Sequence, residues 1–335
     1  MSKDITDITV LGGGPAGLYA AFYGGMRERS VRIIDSLHEL GGQLMALYPE
    51  KFIYDVGGYP RILARDLARN LIEQALQFNP GVILNEEISV LEHADDCLVL
   101  RGKKGTYRTR TLIIAGGKGA FEPLALRCPG YSEFLHRGVH YAVSDPEEYR
   151  DKKVLVVGGG DSALDWAMTL KNVVKDLLLI HRRSGFRAME RSVAELRVAS
   201  DAGELSFRDH HEVREIRGVD QVESVVIFDN RSGEETILEV DAVLTFLGFK
   251  PDLGPIKGWG LELNKNRVVV DQLMRTNVPL VFAIGDIADY QGKLDLIATS
   301  FSEAAVAVSQ VVRMVDPSAR KNPGHSTNLK IFKDS

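Results

Sequence analysis

The sequence predicts an α/β protein of two domains, each with a parallel sheet at its centre, and three observations carry the prediction. The chain has 335 residues, roughly twice the length of a typical domain. Apolar residues make up 44% of it and charged residues 26%, as in ordinary globular proteins. A glycine-rich motif between a β-branched run and a helix-forming stretch occurs twice, and such units are typical of parallel sheets.

Composition excludes several classes of protein and site. The 41 basic and 46 acidic residues give a net charge of −5, which argues against a nucleic-acid-binding protein with a basic surface. Two cysteines, Cys97 and Cys128, are too few and too far apart for a disulfide scaffold, a zinc ribbon or a CxxC pair, and we expect no metal site. Neither a signal peptide nor an apolar run of about 18 residues is found. We therefore expect a cytoplasmic protein without a membrane segment.

The first glycine motif predicts a β-strand, a helix and a second strand. The β-branched run at 8–11 precedes it, residues 18–23 favour a helix, and the strand-like segment 31–35 ends in Asp35. The motif itself supplies Gly12, Gly14, Pro15 and Gly17.

The second glycine motif repeats this arrangement. The run 154–157 precedes it, residues 164–171 favour a helix, and 177–181 form the next predicted strand. The motif supplies Gly158, Gly160 and Ala163.

The glycine spacing has a geometric reason. The first glycine permits a tight turn, the second lets the backbone approach a pyrophosphate, and the third, or alanine, lets helix pack on strand. The diphosphate then lies at a helix N-terminus, where free N–H groups favour negative charge. One such motif could be only a glycine-rich turn. Two, each within a strand–helix–strand unit, favour two Rossmann-like, three-layer ββα dinucleotide-binding domains.

The ends of the second strands distinguish the two ligands. Asp35 can accept hydrogen bonds from both ribose hydroxyls of an unphosphorylated adenosine, which suits FAD or NAD. In the unit of the second glycine motif, the strand after the helix ends without an acid. The guanidinium groups that follow this strand match a 2′-phosphate, which favours NADP(H). The alternative is a basic loop in solvent. This second set consists of His181, Arg182, Arg183 and Arg187.

A strand far along the chain favours FAD in the first domain. The buried-type strand 281–284 leads into Gly285 and Asp286, and an amphipathic helix is predicted over 298–314. Alone, these two residues could form a simple turn. Because they follow an insertion with its own dinucleotide motif, we expect Asp286 to hold the ribitol and pyrophosphate of an extended, non-covalently bound FAD.

The predicted domain limits follow from this order. Residues 1–118 and 250–335 form a discontinuous FAD-binding domain, and 119–249 form an inserted NADP(H)-binding domain. Within them, an apolar stripe predicts a helix over 61–79, and the runs 205–216 and 222–228 predict strands of a hairpin layer.

Over nearly its whole length the chain resembles the two-dinucleotide-domain flavoproteins of the thioredoxin reductase type. The segment 181–188, His-Arg-Arg-Ser-Gly-Phe-Arg-Ala, is very close to that group. Thioredoxin reductases carry a CxxC shortly before the second glycine motif, whereas residues 138–146 contain no cysteine here. The resemblance therefore implies that both nucleotide sites remain and the disulfide chemistry is lost.

A more specific resemblance is to the ferredoxin(flavodoxin)–NADP+ reductases built on that scaffold. It is carried by residues 41–51, 54–60, 316–320 and 323–327. It implies a homodimer that exchanges electrons between NADP(H) and ferredoxin or flavodoxin through FAD. Tyr48 is implied to stack on one flavin face and His325, in the C-terminal tail, on the other. The further flavin contacts implied are Asp35, Gln43, Ile88, Phe121, Asp286 and Thr327.

From the residues alone, other interpretations stay open. Tyr48 could be a packing residue and His325 a solvated side chain. Hydride transfer demands no acid–base side chain, so neither is predicted as a catalytic acid or base. Besides a ferredoxin or flavodoxin reductase, the function classes are an NADPH-dependent flavin enzyme acting on a quinone or small disulfide, and a non-enzymatic NADPH-binding module.

Overall fold

The computed structural model describes residues 5–143, 145–320 and 326–328, the side chains of 120–123, 249–251 and 328 excepted. The chain forms two compact units. The first contains Met1–Phe121 and Pro251–Ser335, and the second contains Glu122–Lys250. The first unit is therefore discontinuous in sequence and the second is inserted into it.

The first segment of the chain holds nine strands and three helices. They are β1 (Ile5–Leu11), α1 (Pro15–Met26), β2 (Val31–Ile34), α2 (Gln43–Ala46), β3 (Phe52–Ile53), β4 (Ile62–Leu63), α3 (Ala64–Leu76), β5 (Gly81–Ile83), β6 (Ile88–Ala94), β7 (Cys97–Gly102), β8 (Thr106–Ile114) and β9 (Ala120–Pro123).

The inserted unit and the returning segment follow. The insertion holds β10 (Val139–His140), β11 (Lys153–Gly158), α4 (Asp161–Leu170), β12 (Asp176–Ile180), α5 (Glu190–Asp201), β13 (Ser206–Arg208), β14 (His211–Gly218), β15 (Val222–Asp229), β16 (Glu235–Glu239) and β17 (Ala242–Phe246). The returning segment holds β18 (Phe249–Asp252), β19 (Leu263–Asn264), β20 (Arg267–Val269), β21 (Val281–Ala283), β22 (Ala288–Asp289) and α6 (Ile297–Val315).

The first unit is built on a parallel sheet. Its strands lie in the order β5, β2, β1, β8, and β21 joins β8. The first half of β8 also pairs antiparallel with β7, which pairs with β6. Ile8, Ile33 and Ile113 are fully buried, as the near-continuous apolar character of parallel strands requires. Helix α1 packs against α3 and α6.

The second unit shows the three layers most clearly. Its parallel sheet has the order β13, β12, β11, β17, β10, and β14, β15 and β16 form a separate antiparallel sheet. Along β11 the side chains alternate between two cores. Val154 and Val156 pack with residues of α4 and α5, whereas Leu155 and Val157 pack with Val225 and other residues of the antiparallel sheet. Because successive side chains of β11 point to opposite faces, the parallel sheet packs against a helical layer on one face and against the antiparallel sheet on the other.

The predicted fold class is confirmed, and individual limits differ. In both units the strand before the glycine motif pairs with the strand after the first helix, so β1–β2 and β11–β12 repeat one arrangement. The predicted hairpin is present as β14–β15. The run predicted as one strand over 205–216 is divided, however: Ser206–Arg208 joins the parallel sheet as β13, and β14 begins at His211. The helix predicted over 61–79 begins only at Ala64, because Ile62 and Leu63 pair with β3. Within the described residues, no helix combines the length and hydropathy needed to cross a bilayer.

Candidate functional site

The first glycine motif forms the turn between β1 and α1. Gly12 has a φ of +111°, and a Cβ there would lie 2.5 Å from the carbonyl oxygen of Ala115, just beyond β8. A Cβ on Gly17 would collide with the carbonyl oxygen of Gly12. Both positions therefore require glycine, one for its backbone conformation and both for the close approach of backbone.

In front of this turn the space is open. Helix α1 begins at Pro15, and no side chain caps its first turn. Among the described heavy atoms, a Cβ on Gly14 would meet only the Cα of Gly42 within 4 Å, at a distance of 3.9 Å. The loop that carries Gly42 is held there by a 2.9 Å hydrogen bond from the N–H of Gly41 to the carbonyl of Gly13. A helix N-terminus with free N–H groups and backbone on both sides suits the pyrophosphate of a dinucleotide.

Asp35 lies beside the same turn, directly after β2. The residue is 6% exposed, and its carboxylate accepts hydrogen bonds from the N–H groups of Gly13 and Leu37. Burial raises the pKa of this carboxyl, and the backbone hydrogen bonds partly offset that effect. Each carboxylate oxygen has further lone pairs, so the group can still accept hydrogen bonds from ribose hydroxyls.

Gln43, Tyr48 and Asp286 belong to the same region of the first unit. A Cβ on Gly117, which has a φ of +60°, would lie 2.9 Å from Nε2 of Gln43. Tyr48 is half-buried against the apolar core. Its pKa is raised by burial first and then by the negative charges of Asp286 and Asp55. The tertiary structure thus brings Tyr48 close to an acid more than 200 residues away in the sequence.

Asp286 follows β21 in a 3-10 turn that begins at Gly285. Burial raises the pKa of its carboxyl, as does the charge of Asp295, while Lys118, Lys293 and Arg267 oppose the change. The Nζ atom of Lys118 lies 3.9 Å from Oδ2 of Asp286. The acid therefore sits among several charges without a close ion pair.

Sequence reasoning missed the charged groups around this turn. Glu303 is 3% exposed and accepts a 2.7 Å hydrogen bond from the N–H of Gly285. It also accepts hydrogen bonds from the hydroxyl of Tyr290 and the ammonium of Lys293. The sequence carried one signal for these groups: Glu303 is an acid on the buried face of the amphipathic helix α6. A buried acid seldom lacks a partner.

The remaining residues predicted to contact the flavin lie in the apolar core, on the surface or outside the described part of the chain. Ile88 opens β6, is 3% exposed and belongs to the apolar core of the first unit. Phe121 lies in β9, and its side chain is outside the described ones. Thr327 is exposed in the 3-10 turn Ser326–Asn328. His325 lies outside the described residues.

The second glycine motif forms an equivalent turn between β11 and α4. A Cβ on Gly158 would lie 2.6 Å from the carbonyl oxygen of Phe246 and 2.7 Å from the Cβ of Ala163. At Gly160, which precedes α4, a Cβ would have no described heavy atom within 4 Å, and no side chain caps the helix. The second cradle thus combines a tight turn, close helix–strand packing and an open helix N-terminus.

His181 marks the end of the neighbouring strand in this cradle. Its ring stacks on Phe186 with 5.2 Å between centroids and lies against Gly159, where a Cβ would collide with it. Burial lowers its pKa, and the charges of the nearby arginines lower it further, against a raising hydrogen bond to the carbonyl of Gly185. The lowered pKa favours the neutral form of the imidazole, and the ring packs against Phe186 and Gly159.

The three arginines after this strand are exposed. Across the described part of the chain, none of their guanidinium groups is paired with a carboxylate within 4 Å. The backbone that carries them is fixed: the N–H of Arg187 donates to the carbonyl of Gly159, and the carbonyl of Arg182 accepts from Nδ2 of Asn230. Cationic side chains on a fixed backbone beside an open helix N-terminus suit a phosphorylated ribose.

The two cysteines are placed outside these cradles. Cys97 is fully buried on β7. Burial, with the charge of Glu215, raises the pKa of the Cys128 thiol to about 11. Cys128 is thus a thiol rather than a thiolate nucleophile at neutral pH. No group of three or more His, Cys, Asp or Glu residues in the described ranges could hold a metal ion.

Comparison with known proteins gives consistent matches. The family model described as pyridine nucleotide-disulphide oxidoreductase matches residues 6–310. The chain is 48% identical to a ferredoxin--NADP reductase of Thermus thermophilus and 46% identical to one of Sulfurisphaera tokodaii, each over 98% of both chains. Among solved structures, the thioredoxin reductase of T. acidophilum matches with a TM-score of 0.77 and 25% identity, over 93% of this chain and 99% of that one.

Proposed function

Since this chain belongs to the pyridine nucleotide-disulphide oxidoreductase family, we propose that it transfers electrons between NADP(H) and ferredoxin or flavodoxin through a non-covalently bound FAD. Relatives 44–48% identical over nearly the full chain are named ferredoxin--NADP reductase. The observation that carries the proposal is the unequal chemistry of the two glycine cradles. One presents a buried carboxylate at its strand end, and the other presents exposed guanidinium groups.

The first cradle fits FAD by its own geometry. The open space before α1 and the oriented carboxylate of Asp35 suit a pyrophosphate and an adenosine ribose. We assign the FAD contacts to Gly12, Gly14, Pro15, Gly17, Asp35, Gln43, Tyr48, Ile88, Phe121, Asp286 and Thr327.

The second cradle fits NADP(H) rather than NAD(H). An adenosine 2′-phosphate needs cationic, multidentate donors, which arginine supplies, whereas an acid at the strand end would repel it. We assign this site to Gly158, Gly160, Ala163, His181, Arg182, Arg183 and Arg187.

The protein's part in the reaction is placement. The chemistry that a bound flavin supplies is exchange of a hydride with a nicotinamide and of single electrons with a carrier protein. Hydride transfer needs no general acid or base, and we assign none. Tyr48 and His325 are proposed to lie against the two faces of the flavin ring, where aromatic side chains stack favourably and exclude water.

The domain and assembly assignments complete the proposal. Residues 1–118 and 250–335 form the FAD-binding domain, and 119–249 form the NADP(H)-binding domain. The enzyme is further proposed to be a cytoplasmic homodimer. A mass near 74 kDa in light scattering, twice the 37.0 kDa chain, is the expected result, and a monomer mass at micromolar concentration would contradict the dimer.

Reduction of a quinone or a small disulfide is the competing function. The disulfide branch is disfavoured by the buried Cys97 and the high pKa of Cys128. NADPH-driven reduction of cytochrome c, with and without added ferredoxin or flavodoxin, separates the classes. Activity that depends on the carrier supports our proposal. Activity with quinone alone would select the competing reductase, and no turnover would select a non-enzymatic NADPH-binding module.

A further inference from the structure

Asp286 is surrounded by cations but forms no tight pair with any of them. Lys118, Lys293 and Arg267 each act on its carboxyl group, yet burial and Asp295 leave its pKa raised. The nearest ion pair, to Lys118, measures 3.9 Å, which is beyond hydrogen-bond length. Within the part of the chain that the structure describes, the carboxylate therefore keeps its oxygens available although opposite charges lie nearby.

Two other acids hold two of these cations. Lys293 and Glu303 form a buried pair with side chains 4% and 3% exposed. Arg267 donates two hydrogen bonds, 2.8 and 2.6 Å long, to the two carboxylate oxygens of Asp295. Both cations also act on the carboxyl group of Asp286, so each pair occupies a cation that could otherwise pair with Asp286.

Glu303 makes more contacts than the Lys293 ion pair alone needs. Its Oε2 accepts the N–H of Gly285, and its Oε1 accepts the Tyr290 hydroxyl as well as the ammonium. Gly285 has a φ of +76° and immediately precedes Asp286. The same carboxylate thus fixes the backbone of the Asp286 turn and the position of the adjacent cation.

We propose that Glu303 is a positioning residue that withholds Lys293 from Asp286, that Asp295 does the same for Arg267, and that together they keep Asp286 free for a hydroxyl group of FAD. The inference rests on the proposed FAD site. Neither acid needs to touch the cofactor.

The physical reason lies in the cost of an unpaired buried cation. An ammonium that loses its partner in a low-dielectric site moves to the nearest anion or loses its proton. In a Glu303→Gln variant, the acids on which Lys293 still acts are Asp286 and Asp295, and Asp295 is already paired with Arg267. An Asp286 carboxylate paired with Lys293 would lose its hydrogen bond to the cofactor.

The test is FAD affinity, measured by fluorescence titration of the apoprotein. We expect Glu303→Gln to raise the Kd for FAD about tenfold or more, the effect of losing one hydrogen bond to a charged group. We expect Glu303→Gln/Lys293→Met to restore the Kd to within about threefold of wild type, because the cation released by the first substitution is removed by the second while Arg267 stays paired with Asp295. A purely structural role predicts that the double variant, which lacks both buried groups, binds no better than the single one.

Glu92→Gln serves as the matched control. Glu92 forms a two-pronged pair with Arg101 on the exposed β6–β7 hairpin of the same unit, and its loss should leave the Kd unchanged. If Glu303→Gln fails to fold by circular dichroism, Asp295→Asn and Asp295→Asn/Arg267→Gln apply the same test to the second pair, both in a Lys118→Met background because the ammonium of Lys118 also lies 4.0 Å from Asp295.

The outcomes separate the two proposals. Wild-type protein that binds no FAD would overturn the proposed function and this inference with it. Wild-type protein that binds FAD, with variants of unchanged affinity or with no recovery in the double variants, would overturn the inference alone.

Discussion

The backbone N–H of Gly13 donates a hydrogen bond to Oδ2 of Asp35, 22 residues further along the chain. A Cβ on Gly13 would lie 3.0 Å from that oxygen and 2.5 Å from Cδ2 of Leu40. The second oxygen of the carboxylate is held by the N–H of Leu37. The glycine turn and the acid at the end of β2 are therefore directly linked, and the acid is oriented before any ligand binds. Such preorganisation reduces the entropy lost on binding.

The first prediction contrasts two glycines of the same motif. Gly14→Ala should leave the apoprotein within about 1 kcal/mol of wild-type stability, because the new methyl group has room and only the helix cap changes. It should weaken FAD binding about tenfold or more, because the methyl group enters the space in front of α1. Gly17→Ala should instead destabilise the apoprotein by well over about 1 kcal/mol, since backbone fills its site.

Urea unfolding of the apoproteins and FAD titration measure these two effects. Equal stability losses in the two variants, or wild-type FAD affinity in Gly14→Ala, would contradict the open cradle.

The second prediction concerns Asp286→Asn. Burial and Asp295 raise the folded-state pKa of Asp286 above its unfolded value. The protonated carboxyl of Asp286 therefore stabilises the folded protein at pH values below its pKa in the unfolded state. This stabilisation is lost as the pH rises through its pKa in the folded state. An asparagine side chain has no proton to lose in this pH range and therefore keeps that stability. The variant apoprotein should thus be more stable than wild type at pH 7. That difference should shrink as the pH falls toward about 4.

FAD affinity should change in the opposite direction. The neutral amide is a weaker acceptor than a carboxylate, so the Kd should rise about tenfold. Urea titrations at pH 7 and pH 4 measure the stability. A wild-type apoprotein more stable than the variant at pH 7 would show that Asp286 is not strained by its surroundings.

The third prediction concerns nucleotide choice. Arg182→Ala/Arg187→Ala should lower kcat/KM for NADPH by at least about tenfold, mainly through KM, because each charged hydrogen bond lost is worth about 1.5–3 kcal/mol. Activity with NADH should change less than about twofold. Arg217→Ala, which removes an arginine paired with Glu215 in the same unit, is the control for net charge. Survival of the NADPH preference in the double variant would refute the placement of the 2′-phosphate.

The fourth prediction concerns the C-terminal tail. Removal of residues 323–335 should raise the rate of hydride transfer, because His325 is proposed to cover the flavin face that the nicotinamide approaches. The truncation also removes the proposed Thr327 contact, but FAD should stay bound through the contacts of the first cradle. Stopped-flow reduction by NADPH measures that rate. His325→Ala should resemble the truncation, and His325→Phe, which keeps a ring, should resemble wild type. Identical rates in all four proteins would exclude this role.

Much of the fold could be predicted because its signals are local. Each glycine motif lies within about 25 residues of both its strands, and strand, turn and helix preferences act over that range. The α3 limit was wrong for the opposite reason: Ile62 and Leu63 fit the helical stripe but pair with Phe52 and Ile53. A strand partner outside the helix decides that boundary, and periodicity does not report it.

The fold class, the repeated βαβ units and the different charge at the two strand ends all follow from the amino-acid pattern. The groups that surround those strand ends are known only from the folded chain. Folding placed the Ala115 carbonyl against Gly12, Gly42 against Gly14, and Glu303 beneath Gly285. These contacts join residues far apart in the chain, so they depend on how the elements pack. Local preference fixes each element, whereas burial of apolar faces and satisfaction of buried charges fix their neighbours.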